Sequence, residues 1–209
     1  MKLKIIYVYG AGGHGKVVAD VLRAARRPPA GFLDDSAYCR GSPLGLPVLD
    51  ARQWMSRIEA GGEIGVALGI GDNRVREEVA NLCRCHGFKI VTAVHPSAVL
   101  SSAARMGVGT VVMPLAVVNP DARLGSGVII NTGAVVEHDC IVGEYAHISP
   151  NAVLGGSAHV GPFSLLGLGA AVLPGVSVGS RSIIGAGAVV VRDIPDDVVA
   201  MGVPARVSK

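Results

Sequence analysis

An uninterrupted six-residue repeat runs through residues 93–194, giving 17 hexads without a gap. The second place of every hexad is aliphatic or methionine, from Val94, Leu100 and Met106 through to Val178, Ile184 and Val190. Glycine often follows it, as at Gly125, Gly143 and Gly161, and the sixth place is mostly Ala, Ser, Thr, Cys or Val. A fixed short period of this kind marks a solenoid in which each repeat supplies one short strand and one corner. The aliphatic place faces inward, the small place fits a tight corner, and glycine relieves crowding where the backbone bends. The pattern therefore predicts a parallel β-helix, with three hexads to a coil and residue i stacked on residue i+18 at a spacing of ~4.8 Å.

The repeat occupies about half of the 209 residues, so a second unit must lie ahead of it. The expected division is residues 1–92, 93–194 and a tail at 195–209. Half of the residues are hydrophobic, but they are scattered at the repeat period, and no run approaches the ~20 apolar residues of a spanning helix. The opening MKLKIIYVYGAGG reads as a buried strand entering a glycine turn rather than a signal peptide. A formal net charge of +3 is too small to argue for nucleic acid. The spacing of Cys39, Cys83, Cys85 and Cys140 fits neither a zinc site nor a disulfide framework, which leaves thiols in a reducing cytoplasm.

In the first unit a β-rich stretch at residues 4–9 leads into Gly10-Ala11-Gly12-Gly13-His14-Gly15 and a helical segment from Lys16. A short strand at residues 31–33 and the acidic pair Asp34-Asp35 follow. Strand, glycine turn, helix, strand and acid is the order of a nucleotide-type βαβ unit, in which glycines let a phosphate approach the N–H groups at a helix start. Further on the pattern predicts a loop through Pro47 and a helix capped by Asp50. It then predicts a strand at residues 63–68, the turn Gly69-Ile70-Gly71, a helix capped by Asp72 and a strand at residues 89–91. This is a small Rossmann-like βαβαβ half, sized for a mononucleotide or nucleotide-sugar, with two glycine loops converging at the carboxyl ends of the strands. The competing reading, that these glycines only make tight turns of an α/β domain, is the weaker one, because two glycine loops and an acid converge on one sheet edge.

Within the repeat, His138 occupies the fourth place of VVEHDC and points outward at a corner beside Asp139. One coil later stands Gly156. A histidine beside a carboxylate, with a bare glycine N–H next to it, offers a base, an orienting group and an oxyanion donor. His147 lies nine residues on, half a coil around, so it could meet His138 only across two copies of the prism. Residues 147–150, 165–168 and 183–186 stack into a small apolar column suited to an extended ligand. A lone surface histidine is more often simply solvated, but the Glu137-His138-Asp139 cluster interrupts an otherwise apolar repeat.

The combination of YGAGGHGKVVADVL, FLDD, GIGDN, NTGAVVEHDCIVGEYAHIS and MGVPARV resembles the sialic acid O-acetyltransferase and UDP-4-amino-sugar N-acetyltransferase family, of bacillosamine and perosamine type, over nearly the whole chain. The resemblance implies a left-handed β-helix, a homotrimer, and acetyl-CoA bound between adjacent prisms without a metal. It implies His138 as general base, Asp139 as its orienting acid and Gly156 N–H as oxyanion donor. His147, Leu168 and Ala186 would line the acetyl-CoA groove, and Gly12, Gly13, His14, Asp34, Asp35 and Gly71 would hold the nucleotide-linked amino sugar. Aspartate stands at position 139 where the bacillosamine type carries glutamate. Rival readings are O-acetylation of sialic acid or a related sugar hydroxyl, a trimeric zinc lyase on the same β-helix, and a non-catalytic scaffold. The lyase would need two histidines five residues apart, whereas those of the repeat stand at 95, 138, 147 and 159.

Overall fold

The computed structural model describes residues 3, 5–36, 41–58 and 63–208. Lys4 of the first expected strand and Cys39 lie outside the described residues. The chain divides into two compact units, Met1–Pro96 and Ser97–Lys209.

The first unit runs β1 (Ile5–Tyr9), α1 (Gly13–Ala24), β2 (Gly31–Asp34), β3 (Val48–Asp50), α2 (Ala51–Arg57), β4 (Ile64–Leu68), α3 (Asn73–Cys85) and β5 (Lys89–Val91). The strands form one parallel sheet in the order β3-β2-β1-β4-β5. The chain steps outward from β1 to one edge, then returns to β1's other side as β4, which makes the β1/β4 boundary the switch point where such sheets bind ligands. Strand β3 is one more than the sequence reading placed, since three residues after a proline carry no visible alternation. It is held at the sheet edge by pairing with β2. Helix α1 starts at Gly13, three residues before Lys16, because its first turn is built from poor helix formers. It buries Val18, Ala19, Val21 and Leu22 at helical spacing against the sheet. Asp50 and Asp72 cap α2 and α3 by accepting backbone N–H bonds from Gln53 and from Arg74 and Val75.

The second unit is a left-handed parallel β-helix. Each hexad contributes a two-residue strand from its first two places, and pairing joins residues 18 apart, as in Val117 with Val135 and Val135 with Val153. Three parallel sheets result. Second-place side chains from Val112 to Val190 are all buried, whereas Leu100 is half-buried and Met106 is exposed in the opening coils. Polar residues at the sixth place satisfy themselves inside the corner. Thr110 Oγ1 donates to Gly107 O at 2.8 Å, Ser164 Oγ to Gly179 O at 2.5 Å and Cys140 Sγ to Gly155 O at 3.2 Å. The third-place glycines do what the repeat implied: a Cβ on Gly161 would sit 2.5 Å from Ser180 N of the next coil.

Two regularities of the corner were not visible in the repeat. The fifth place adopts left-handed backbone, with φ near 60° at Leu115, Asp121, Asp139, Tyr145, Asn151, Ser157 and Phe163 as well as at glycines. Leucine, tyrosine and phenylalanine rarely choose that region, so composition hides it. The ladder bonds are donated by the first, third and fifth places, as by Val135, Glu137 and Asp139. The fourth-place N–H stays off the ladder, which is why proline fills that place at Pro114, Pro120, Pro150, Pro162 and Pro174. Beyond Ile194 the chain stays joined to the prism: Val199–Met201 pairs with Ile183–Ile184 and folds back on Arg206–Val207. Arg181 clamps this last turn through a two-pronged bond to Asp197, both arms at 2.6 Å.

Candidate functional site

At the carboxyl end of the parallel sheet a cleft of about 430 Å³ opens between the β1–α1 and β4–α3 loops. Gly12, Gly13, His14, Asp34, Asp35 and Gly71, the six residues expected to hold a nucleotide-linked sugar, all line it. The glycines of the two loops divide by what surrounds them. A Cβ on Gly15 would collide with the carbonyl of Gly10, and one on Gly10, at φ 101°, would lie 2.7 Å from Gly69 O. These three interlock the loops. Gly13 and Gly71 face nothing within 4 Å, so the space above them is open for a ligand. Gly12 caps α1 without a side-chain bond and no acid occupies the first helical turn, leaving the positive end of the helix turned to the cleft.

The two aspartates differ. Asp34 is buried, and its oxygens accept N–H bonds from Ala11 and Ser36, both at 2.8 Å. It therefore ties the glycine loop to the end of β2 and shapes the cleft. Asp35 is more open, accepts from the Tyr9 hydroxyl at 3.2 Å on each oxygen, and lies 3.7 Å from Arg52 Nε. Burial, then the Asp35 carboxylate, pushes the Tyr9 phenol above its usual range, so it stays a hydrogen-bond donor. Tyr9 was not singled out in the sequence; as the last residue of a buried strand it reads as core. His14 is held neutral, its pKa lowered to about 4 by burial and then by the nearby Arg76 charge.

In the β-helix, His138 and Asp139 meet as the corner dictates. Left-handed backbone at Asp139, φ 60°, turns its side chain back along the corner, and His138 Nδ1 donates to Asp139 Oδ2 at 2.8 Å. The shorter aspartate arm thus makes the bond. That bond, reinforced by the charges of Asp139 and Glu137, raises the His138 pKa above its ordinary value. With Nδ1 committed, Nε2 carries the lone pair. Gly156 packs directly against the ring: a Cβ there would fall 2.6 Å from both His138 Cε1 and Nε2. Its fourth-place N–H has no acceptor among the described residues.

His147 is half-buried on a different sheet from Val135–Val136, the strand that leads into the His138 corner, as the half-coil separation required. Asn131 supports it. The Asn131 Oδ1 takes the Thr132 N–H at 2.8 Å, so its Nδ2 faces His147 Nε2 at 3.0 Å. Asn131 also escaped the sequence reading, since its side chain reaches a residue 16 positions away. Leu168 and Ala186 are exposed at fourth places one coil apart, each with its N–H off the ladder. Among the described residues no three of His, Cys, Asp and Glu are gathered as a metal would need, and no helix is long and apolar enough to cross a membrane.

Residues 5–82 match the PglD N-terminal domain, and residues 121–156 match the bacterial transferase hexapeptide (six repeats). The UDP-N-acetylbacillosamine N-acetyltransferase of Bacillus subtilis (strain 168) is 37% identical over 117 residues, or 52% of this chain. The match spans 50% of that curated relative, about half its length. A histidine-to-asparagine variant of perosamine N-acetyltransferase from Caulobacter crescentus, solved in complex with CoA and GDP-perosamine, superposes with a TM-score of 0.94 at 42% identity. That alignment covers 99% of this chain and 97% of the other. The acetyltransferase domain of PglB from Neisseria gonorrhoeae, solved with acetyl coenzyme A, superposes with a TM-score of 0.92 at 37% identity, covering 98% and 99% of the two chains. With both halves matched in sequence and nearly every residue superposed, the chain belongs to the hexapeptide-repeat family of nucleotide-sugar N-acetyltransferases that includes the perosamine and bacillosamine enzymes.

Proposed function

We propose that the protein transfers an acetyl group from acetyl-CoA to the amino group of a nucleotide-linked 4-amino-4-deoxy sugar. The observation that carries this reading is the His138 ring held by Asp139 and packed against the bare Cα of Gly156. The sugar amine attacks the thioester carbonyl, and the carbonyl oxygen gains negative charge against the Gly156 N–H. His138 Nε2 takes the proton from the attacking nitrogen, forming an imidazolium that Asp139 stabilises. Collapse of the tetrahedral intermediate breaks the C–S bond, and the imidazolium proton goes to the departing thiolate of CoA. Residues 1–92 hold the nucleotide sugar through Gly12, Gly13, His14, Asp35 and Gly71, with Asp34 keeping the loop in place. Residues 93–194 carry the transfer.

The acetyl-CoA groove follows His147, Leu168 and Ala186, whose off-ladder N–H groups at 168 and 186 suit the amide carbonyls of an extended pantetheine arm. Assembly as a homotrimer is supported by one prism face. Its outward column of paired residues, Val99, Val117, Val135, Val153, Ala171 and Val189, is aliphatic throughout, and Val99 is 63% exposed. An unbroken apolar stripe calls for a protein neighbour. We place the enzyme in the cytoplasm, where acetyl-CoA and nucleotide sugars are available and where Cys83, Cys85 and Cys140 remain thiols.

The test is release of CoA thiol from acetyl-CoA with UDP-, GDP- and dTDP-linked 4-amino sugars and with free sialic acid. Turnover with one nucleotide-linked amine is the expected result and names the nucleotide. Turnover with sialic acid alone would transfer the activity to a hydroxyl acceptor and remove the nucleotide role of the cleft.

The pH profile follows from His138. Only the unprotonated ring accepts a proton, so kcat/KM rises with pH, and the raised pKa sets the midpoint of that rise above ~6.5. His14, at about 4, stays neutral over the same range and contributes no limb. Asp139→Asn removes the largest cause of the shift, so the midpoint moves to lower pH while the plateau falls. A midpoint unmoved by D139N would show that another group titrates.

A further inference from the structure

Arg76 is the fourth residue of α3 in a run of charged residues, Arg74, Arg76, Glu77 and Glu78, that reads as a solvated helix face. It is fully buried, with none of its surface exposed. Its Nη1 donates to Ile70 O at 3.1 Å and Gly71 O at 2.9 Å, and its Nη2 to Asn73 Oδ1 at 2.8 Å. Burying a guanidinium is costly, and a helix residue needs no such arrangement for its own sake. What the arrangement does is turn two peptide planes. In a trans peptide the C=O and the following N–H point to opposite sides. With the carbonyls of Ile70 and Gly71 drawn down to Arg76, the N–H groups of Gly71 and Asp72 point the other way. Neither has an acceptor among the described residues, and Gly71 lines the cleft with open space above it.

We propose that Arg76 is the positioning residue of the nucleotide cleft: by fixing the Ile70 and Gly71 carbonyls it aims the β4–α3 loop's N–H groups at the oxygen acceptors of a bound nucleoside diphosphate. This rests on the cleft being the nucleotide-sugar site. Arg76 itself touches no ligand. Nη1 holds both carbonyls while Nη2 reaches Asn73 Oδ1, a planar three-bond set that a single ammonium cannot reproduce with the same geometry. On the opposite wall, burial and then the Arg76 charge keep His14 neutral.

The experiment is calorimetric binding of GDP, UDP and dTDP to the full chain, for the unaltered protein, Arg76→Met and Arg76→Lys, alongside KM for the acceptor and for acetyl-CoA. The expected result is a loss of roughly 10–100-fold in nucleoside diphosphate affinity for R76M, with a partial recovery in R76K. The acceptor KM should rise in step, while KM for acetyl-CoA and kcat at saturating acceptor hold. Should R76M fail to fold, R76K alone decides, with an expected affinity between those of the unaltered protein and background. Affinity unchanged in the folded variants would overturn the assignment, as would equal rises in both KM values, the mark of general loosening. Binding of none of the three nucleotides by the unaltered protein, or turnover with sialic acid alone, would overturn it together with the cleft's nucleotide role, whereas unchanged affinity in the variants overturns the Arg76 assignment alone.

Discussion

Replacing His138 with alanine is expected to lower kcat about 10²–10⁴-fold with the affinity for acetyl-CoA unchanged. With Nδ1 bonded to Asp139, the imidazole leaves its Nε2 lone pair to accept the proton. Without it the amine must lose its proton to water while the oxyanion donor stays in place, so a residual rate survives. The fold should not notice. The His138 side chain is 60% exposed, and the bond its residue contributes to the coil comes from the backbone, with its carbonyl accepting the Ser157 N–H at 2.8 Å. Alanine keeps that bond. Steady-state kinetics with a thermal melt separates the two effects: a fallen kcat at unchanged Tm is the expected pair. A kcat close to that of the unaltered enzyme would take the base away from His138.

Gly156→Ala carries the second largest expected effect, a fall in kcat of about 10²–10³-fold, from the addition of one methyl group. The backbone at Gly156 is not in the left-handed region, so alanine is tolerated there. The new Cβ has one obstacle, the His138 ring at 2.6 Å. Ordinary carbon contacts need about 3.5 Å or more, so the imidazole must swing away. Doing so breaks its 2.8 Å bond to Asp139 or covers the Gly156 N–H. Either result separates the base from the donor that it must face across the reacting carbonyl. The bond from Gly175 N to Gly156 O at 3.0 Å persists, so Tm should move little. A G156A enzyme within about fivefold of the original rate would show that ring and N–H act independently.

The 18-residue coil and the inward second place were readable because a β-helix repeats one local environment until periodicity itself identifies the fold. The juxtaposition of His138 with Gly156 came from the same arithmetic, since stacking at i+18 turns spacing into distance. The strand–glycine–helix order placed the cleft for the same kind of reason: a parallel sheet that reverses at β1 gathers its loops at one edge. Other features depended on side chains reaching across that regularity. The left-handed fifth place is imposed by the corner on Leu115, Tyr145 and Phe163, which would not choose it alone. Asp34 lines the cleft as expected and also accepts two backbone N–H bonds, a use that no spacing distinguishes. Asn131 and Tyr9 act on partners 16 and 26 positions away. Arg76 was hidden by its neighbours, because a cation among Arg74, Glu77 and Glu78 looks like surface until its burial is seen.

The stacking rule also limits how chains of this kind can change length. An insertion of 18 residues adds one complete turn of the prism and returns every following side chain to the sheet it occupied before. An insertion of six or twelve keeps the inward places inward but hands each sheet's outer residues to a neighbouring sheet, so the aliphatic column through Val117, Val135 and Val153 would be cut across. Any other number turns buried residues outward. The distance from the Asp139 corner to either end of the prism can therefore grow or shrink only in steps of ~4.8 Å. A prism of this construction works as a ruler graduated in whole coils.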